Sequence, residues 1–259
     1  MDKTLIKGLE ILTFVVEQPD GARLIDVAAA IGLTKSNAHR SLDTLRAAGL
    51  LQQNPRSKIY SASIRVWELG MKVIDRLDIR SVASGALQLL AQQSRETVHL
   101  AILDGMEVVY VDKVDSPEPV KAYSRLGGRG PAHCVATGKA LLSRLSDPEL
   151  DRLLVDLPRH SRFTITDPRQ LRDQLADIRE SGIAINRGEW RDGVWGIAAP
   201  VQHLSGQALA AIGVSGPDFR ISPAARVKQL RNFVREAAAN IERELNSNQV
   251  PSPAHEGHR

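Results

Sequence analysis

The sequence predicts an α+β protein that is divided into two domains. Its first 62 residues contain three short helical segments followed by a hairpin signal, which is the pattern of a winged helix-turn-helix. From about residue 80 onward, strand segments that pair through tight turns alternate with helices, which favours an antiparallel sheet covered by helices over a βαβ repeat. A length of 259 residues allows each domain its own hydrophobic core.

The N-terminal domain, residues 1–62, is predicted from helix periodicity and from turn residues. Leucine and valine recur at helical spacing in the first segment, and Pro19-Asp20-Gly21 ends it. Gly32 ends a short second helix, and Thr34 is a candidate N-cap for a third helix that Gly49 ends. The predicted helices are 4–18, 24–31 and 35–48, and the hairpin that follows turns at residues 54–57.

Residues 63–79 are predicted to form a linker helix between the domains. Apolar residues occupy positions 64, 67, 71 and 74, and a second row occupies positions 66, 69, 73 and 77. A helix that is apolar on two sides must be covered on two sides. We therefore interpret this helix as a dimer contact as well as a connection.

The C-terminal domain, residues 80–246, is predicted to combine helices with two antiparallel strand pairs. Asp104-Gly105 joins the first pair and Ser205-Gly206 joins the second. Asp167-Pro168 is typical of a helix start, and Gly182 is typical of a helix end. The predicted helices are 81–94, 134–145, 168–181 and 223–245, and the predicted strands are 97–103, 107–114, 196–204 and 208–216. Residues 247–259 are polar and are expected to be disordered.

Positive charge is concentrated in the N-terminal domain. The chain carries a net charge of +4, but residues 21–66 contain seven Lys and Arg against two acids, which leaves −1 for the remainder. A basic domain beside a nearly neutral one indicates that the first domain meets a polyanion and that the second has another role.

The third predicted helix has one apolar face and one polar, basic face. In a helix-turn-helix, the N-terminal end of this helix enters the major groove of DNA. Arg40 and Asn37 suit guanine and adenine edges, whereas Lys35 and the nearby hydroxyl groups suit phosphates. A merely solvated face would leave the helix spacing, the glycine stops and the hairpin unexplained. The candidate DNA contacts are Thr34, Lys35, Ser36, Asn37, His39 and Arg40 on the helix, with Arg56 and Lys58 at the wing tip.

Several other functional classes find little support in the sequence. No apolar segment is long enough to cross a bilayer and no signal peptide is recognisable, so a cytoplasmic protein without a membrane partner is expected. Cys134 is the single cysteine, and adjacent helical positions would prevent it from sharing a proton with His133. The tail "HEGHR" is one residue short of the HExxH zinc motif. We therefore expect no catalytic residue, no metal and no cofactor.

Three stretches resemble the isocitrate-lyase-regulator (IclR) family of bacterial transcription factors. They are "LTKSNAHRSLDTLRAAGLL", "GGRGPAHCVATGKALLSRL" and "NRGEWRDGVWGIAAPVQHLSGQALAAIGVSGP", and they occur in the family's order. The resemblance covers nearly the whole chain. It implies a winged-helix DNA-binding domain, a linker helix and a C-terminal GAF-like domain that binds a small effector, assembled as a homodimer or a homotetramer.

The same resemblance implies an effector site in the C-terminal domain. Asn186 stands where many members of the family have Asp, and Gly196 stands where some have a ligand-contacting Cys. Because Asn both donates and accepts, recognition is expected to differ from that of acid-binding members. Trp190, Trp195 and Leu126 could form an apolar wall for an aromatic or sugar-derived ligand. The implied effector contacts are Leu126, His133, Cys134, Ala136, Thr137, Asn186, Glu189, Trp195 and Gly196.

The sequence therefore favours a DNA-binding transcriptional regulator, with repression as the favoured direction. Its partners are expected to be an operator duplex and a small organic-acid, aromatic or sugar-derived catabolite. Two alternatives use the same C-terminal pocket: a small-molecule enzyme and a protein-interaction module. The missing catalytic constellation argues against the first, and the basic helix face argues against the second.

Overall fold

The computed structural model describes residues 2–74, 78–203, 206 and 208–247. The chain divides into two compact units, Met1–Arg76 and Leu77–Arg259. Of the tail that was expected to be disordered, residues 248–259 lie outside the described residues. Among the residues described, no helix is both long enough and apolar enough to span a bilayer.

The first unit is a winged helix-turn-helix followed by one more helix. Its two strands form an antiparallel hairpin, and Leu51 pairs with Ala62. Ile11, Val27 and Leu42 are fully buried and bring the three N-terminal helices together in one core. The elements are α1 (Lys3–Glu17), α2 (Leu24–Ile31), α3 (Lys35–Ala47), β1 (Leu51–Gln53), β2 (Tyr60–Ala62) and α4 (Ile64–Ile74).

A close backbone approach joins the helices of this unit to the hairpin. Ala22 and Tyr60 exchange two backbone hydrogen bonds of 2.9 and 2.8 Å. Gly21 makes this possible, because it has a φ of +74° and a Cβ there would lie 2.4 Å from the Tyr60 carbonyl oxygen. Gly32 likewise ends α2 in the left-handed conformation, with φ 66°, so that α3 can begin three residues later.

The predicted linker helix, residues 63–79, lies in a stretch that the structure describes only in part. Helix α4 begins at Ile64, as the apolar pattern indicates, and the next described helix, α5, covers Asp78–Ser94. Residues 75–77 between them lie outside the described part of the chain.

The second unit is a six-stranded antiparallel sheet with helices on both faces, which confirms the predicted α+β class. The strand order is β5-β4-β3-β8-β7-β6. The short elements β5, α7, β6 and α9 were not predicted. The elements are α5 (Asp78–Ser94), β3 (Thr97–Asp104), β4 (Glu107–Val114), β5 (Arg129–Pro131), α6 (Ala136–Leu142), α7 (Asp147–Leu153), α8 (Pro168–Ser181), β6 (Ala184–Arg187), β7 (Val194–Gln202), β8 (Ala208–Pro217), α9 (Asp218–Ile221) and α10 (Ala224–Ser247).

Alternating residues of the sheet supply two separate cores. Ile197 and Ile212 face α5 and α10, whereas their neighbours Ala198 and Ala211 face α6 and α8. The α6 face is lined by small residues, so α6 lies close against the strands. Gly138 adds to this close packing, because a Cβ at that position would lie 2.2 Å from the Ala132 carbonyl oxygen. The first turn of α6 therefore lies directly against the backbone that follows β5.

Candidate functional site

The exposed face of α3 carries the candidate DNA contacts of the first unit. The Thr34 hydroxyl accepts a hydrogen bond from the Asn37 amide at 3.3 Å and so caps the helix. Ala38, Leu42 and Leu45 are buried on the opposite side. All six helix positions predicted as DNA contacts, Thr34, Lys35, Ser36, Asn37, His39 and Arg40, are exposed.

Three polar contacts organise this face. The Arg40 guanidinium donates to the Asn37 Oδ1 at 2.6 Å, so the two side chains suited to base edges hold each other in position. Asp43 accepts from both His39 and Arg46, each at 3.1 Å. Asp43 therefore offsets positive charge at the middle of the helix, while Lys35 and Arg40 keep the first turns basic.

The wing tip presents the remaining predicted contacts. The Asn54 Oδ1 accepts backbone hydrogen bonds from Arg56 and Ser57 at 2.9 and 3.1 Å, which closes the turn. Lys58 adopts a left-handed conformation with φ 59°. The side chains of Arg56 and Lys58 are both exposed at this tip.

The second unit contains a partly enclosed cavity of about 60 Å³ beside the first turn of α6. Strands β3, β4, β6, β7 and β8 form much of the rest of its wall. The loop between β4 and β5 and the turn between β6 and β7 complete it. Its polar lining residues are His99, Tyr110, Ser124, Thr137, Asn186, Arg191 and Ser215. Its other lining residues are Ala122, Tyr123, Val135, Ala136, Trp190, Val194, Gly196 and Val214.

His99 is the most deeply buried polar group of this cavity. Its Nε2 lies 2.7 Å from the Ser124 Oγ, and its Nδ1 lies 3.5 Å from the Ser215 Oγ. Burial, and then the charge of Lys113, lower the pKa of His99 to about 4. The imidazole is therefore neutral near pH 7 and interacts with hydroxyl groups through one donor and one acceptor nitrogen.

Tyr110 and Arg191 complete the polar lining. The ring of Tyr110 lies 4.7 Å from that of His99, and burial raises the pKa of the Tyr110 hydroxyl to about 12. Arg191 is exposed, and its guanidinium carbon lies 4.4 Å from the centre of the Trp190 ring. Arg191 thus brings a positive charge to the solvent side of an otherwise uncharged cavity.

Asn186 holds the turn between β6 and β7 in shape. Its Oδ1 accepts hydrogen bonds from the amides of Gly188 and Glu189 at 2.8 and 3.0 Å. Gly188 has a φ of +83°, which favours glycine at this point of the turn. Because the side-chain oxygen is committed to the backbone, the amide nitrogen is the polar atom that Asn186 can offer to a ligand.

A buried ion pair connects this turn to α6. The Lys139 Nζ, which is fully buried, donates to the two carboxylate oxygens of Glu189 at 2.8 and 2.6 Å. It also donates to the Ile185 carbonyl at 2.6 Å and to the Gln174 Oε1 at 3.0 Å. Burial lowers the pKa of Lys139, while the charge of Glu189 raises it. Glu189 therefore acts on the turn and α6 rather than on the cavity.

Four of the residues implied as effector contacts line the cavity: Ala136, Thr137, Asn186 and Gly196. Gly196 matters through its missing side chain, because a Cβ there would lie 3.4 Å from that of Ala136. Trp195, the preceding residue of β7, packs on the opposite face of the sheet against the α10 core.

The structure does not bring the other implied contacts to the cavity wall. Leu126 is 50 % exposed in the loop before β5. The His133 Nε2 hydrogen-bonds to the Pro158 carbonyl oxygen at 3.1 Å. Cys134 is buried, which raises the pKa of its thiol to about 12. The Glu189 carboxylate forms the buried ion pair with Lys139.

Sequence reasoning missed His99, Tyr110, Ser124, Arg191 and Ser215 as cavity residues. A histidine within the apolar run "TVHLAIL" was a usable signal, because a polar residue in a buried strand needs a partner. The serines carried no such signal. Ser215 approaches His99 through the pairing of β3 with β8, and Ser124 approaches it from the loop between β4 and β5.

Family comparisons match both units. The family model described as "Bacterial transcriptional regulator IclR C-terminal" matches residues 71–243. The model described as "IclR helix-turn-helix domain" matches residues 4–55.

Individual relatives match along most of their length. The chain is 34% identical to the HTH-type transcriptional regulator XynR of Escherichia coli, over 92% of this chain and 95% of that protein. It is 27% identical to the E. coli transcriptional repressor IclR, over 92% and 88% of the two chains. An IclR homologue from Microbacterium hydrocarbonoxydans, solved in complex with 4-hydroxybenzoate, superposes with a TM-score of 0.83 at 28% identity, over 95% of this chain and all of that one.

Proposed function

Because the chain belongs to the IclR family of bacterial transcriptional regulators, we propose that it represses transcription from a specific operator and that a small organic acid controls its DNA affinity. One observation carries the proposal: a single chain combines an exposed basic helix-turn-helix face with a cavity of mainly uncharged polar groups. Repression is supported by the E. coli relative that is named a repressor. The cytoplasm is the expected location, because the operator lies there.

The proposed DNA contacts divide into base contacts and phosphate contacts. Arg40 and Asn37 lie on the exposed N-terminal part of α3, and the hydrogen bond between them orients the Arg40 guanidinium toward the groove. Lys35 and the hydroxyls of Thr34 and Ser36 contact phosphates beside the helix start. Arg56, Lys58 and His39 contact the backbone at the edges of the interface.

The proposed effector is small and anionic. The cavity volume of about 60 Å³ is well below the roughly 150 Å³ of an engineered cavity that holds benzene. A short carboxylic or hydroxy acid fits without rearrangement, whereas an aromatic acid requires Tyr123 or Trp190 to move. Arg191 pairs with the carboxylate at the open side, and His99 and Thr137 bind hydroxyl or carbonyl oxygens. The 4-hydroxybenzoate complex of the Microbacterium homologue shows that a related fold accepts an aromatic acid.

The proposed assembly is a homodimer or a homotetramer that contacts through the first unit. Helix α4 exposes Ile64 and Trp67, which are 70 % and 61 % accessible, and α1 exposes Leu5, Leu9 and Val16. Apolar side chains of this size favour burial against a second copy. Two copies place two recognition helices at half-sites about 34–36 Å apart, which fits a palindromic operator.

Fluorescence anisotropy with duplexes from upstream of the protein's own gene tests the DNA proposal. We expect the full-length protein to bind one duplex at least about 10³-fold more tightly than its scrambled version, with affinity that falls as salt rises. Arg40→Ala should weaken this preference by about 1–3 kcal/mol. Arg169→Ala, an exposed arginine of α8, is the charge-matched control and should leave it unchanged. If Arg40→Ala binds operator and scrambled duplexes in the wild-type ratio, Arg40 does not read bases.

A further inference from the structure

We propose that His133, Cys134 and His160 form a zinc-binding site that is separate from the effector cavity. The Cys134 Sγ and one ring nitrogen of each histidine all lie within 4.8 Å of one another. Thiolate and imidazole are the two donor types that Zn²⁺ prefers in proteins. Because His160 is far from the other two in sequence, only the fold brings the three donors together. Neither His133 nor Cys134 is part of the cavity wall, so this cluster is not explained by the effector site.

His133 has one ring nitrogen without a hydrogen-bond partner among the described residues. It is 2 % exposed, and its Nε2 lies 3.1 Å from the Pro158 carbonyl oxygen, which makes Nε2 the protonated nitrogen. Nδ1 then carries a lone pair, and it has no hydrogen-bond partner among the described residues. A buried acceptor without a partner is costly, and zinc-bound histidines commonly donate their other N–H to a backbone carbonyl. A metal ion would satisfy the orphaned nitrogen.

Cys134 and His160 supply the remaining donors and the route of entry. Cys134 is fully buried, whereas His160 is exposed at the surface of the segment between α7 and α8. The rings of His133 and His160 have centres 5.7 Å apart. Ligand atoms of a tetrahedral zinc site lie roughly 3.3–3.8 Å apart, given bonds of about 2.0–2.3 Å. The most widely separated donors must therefore approach each other by at most about 1–1.5 Å. The exposed His160 side chain can make this adjustment by rotation.

Binding is an exchange of a proton for a metal ion. Two Zn–N bonds and one Zn–S bond form, and the Cys134 thiol releases its proton to solvent. The zinc remains divalent, so no oxidant or reductant takes part. With three protein ligands, the fourth position is left to a water molecule. Zinc would also tether the α7–α8 segment to the residues that immediately precede α6.

Cobalt and zinc titrations of the untagged full-length protein test the site. We expect one equivalent of Co²⁺ to produce a thiolate-to-metal charge-transfer absorption, which ZnCl₂ then displaces. Cys134→Ser should remove this absorption. His160→Gln, at an exposed position, should keep the fold and weaken zinc binding by at least about tenfold in calorimetric titrations.

The tail sequence "HEGHR" provides the matched control, because it contains two histidines close together in sequence, His255 and His258. A His255→Gln/His258→Gln double variant should retain both the absorption and the one-to-one stoichiometry. The proposal is overturned if the wild-type protein shows no charge-transfer absorption with Co²⁺. It is equally overturned if zinc affinity survives His160→Gln and is lost in the tail variant.

Discussion

Replacement of Lys139 by Met should strongly destabilise the second unit. The substitution removes the four hydrogen bonds of the Nζ and leaves the Glu189 carboxylate, only 4 % exposed, without its cation. Removal of one partner of a buried ion pair costs about 3–5 kcal/mol. At about 2–4 °C per kcal/mol for a domain of this size, the melting temperature of that unit should fall by about 6–20 °C.

Calorimetry of the full-length protein measures this loss, and two further variants identify its cause. Lys139→Met/Glu189→Leu removes both charges and should recover most of the lost stability, since a hydrophobic pair can replace a buried ion pair. Arg172→Met breaks the surface pair with Asp151 and should cost less than about 1 kcal/mol. A loss in Lys139→Met no larger than that of Arg172→Met would mean that the Glu189 carboxylate is hydrated rather than buried, and that Lys139 does not stabilise the second unit.

Three further predictions concern the cavity and the assembly. Asn186→Leu should abolish the effect of the acid on operator binding but leave the operator affinity of the ligand-free protein intact. If anisotropy shows that the variant still responds normally to the acid, Asn186 is not part of the effector site. The pKa of His99 in the folded protein, about 4, lies below its unfolded value of 6.5. The free energy of unfolding therefore keeps the full contribution of His99 above pH 6.5 and loses about 3 kcal/mol of it as the pH falls toward 4. Urea unfolding across this pH range should show a smaller loss of stability in His99→Gln than in the wild-type protein. An equal loss would mean that His99 does not cause the pH dependence. Trp67→Glu should raise the dissociation constant of the oligomer at least about tenfold, and sedimentation velocity that shows an unchanged assembly would exclude α4 from the interface.

The helix-turn-helix could be predicted from the sequence because its signals are local. Gly32, Thr34 and Gly49 each act on the backbone within one helical turn of their own position, and their spacing sets the lengths of α2 and α3. The apolar spacing of α3 also determines which residues are exposed. No long-range contact is needed for either inference.

The cavity could be predicted only in part, because strand pairing and strand parity determine it. Gly196 and Trp195 are neighbours in sequence, yet alternation along β7 puts one at the cavity and the other on the opposite face. Strand β6 has four residues, and its position at the sheet edge depends on its pairing with β7. The role of Lys139 was equally hidden, since lysine is seldom buried and its partner Glu189 lies far away in sequence.

Control of DNA binding by the acid is measured by the operator dissociation constant of the full-length protein. Anisotropy gives this constant with and without an acid that calorimetry shows to bind the protein. We predict that the acid changes this constant by about 5–150-fold and that operator DNA changes the affinity for the acid by the same factor. If an acid binds the wild-type protein, binds Asn186→Leu more weakly and leaves the operator dissociation constant unchanged, then the cavity does not control DNA binding.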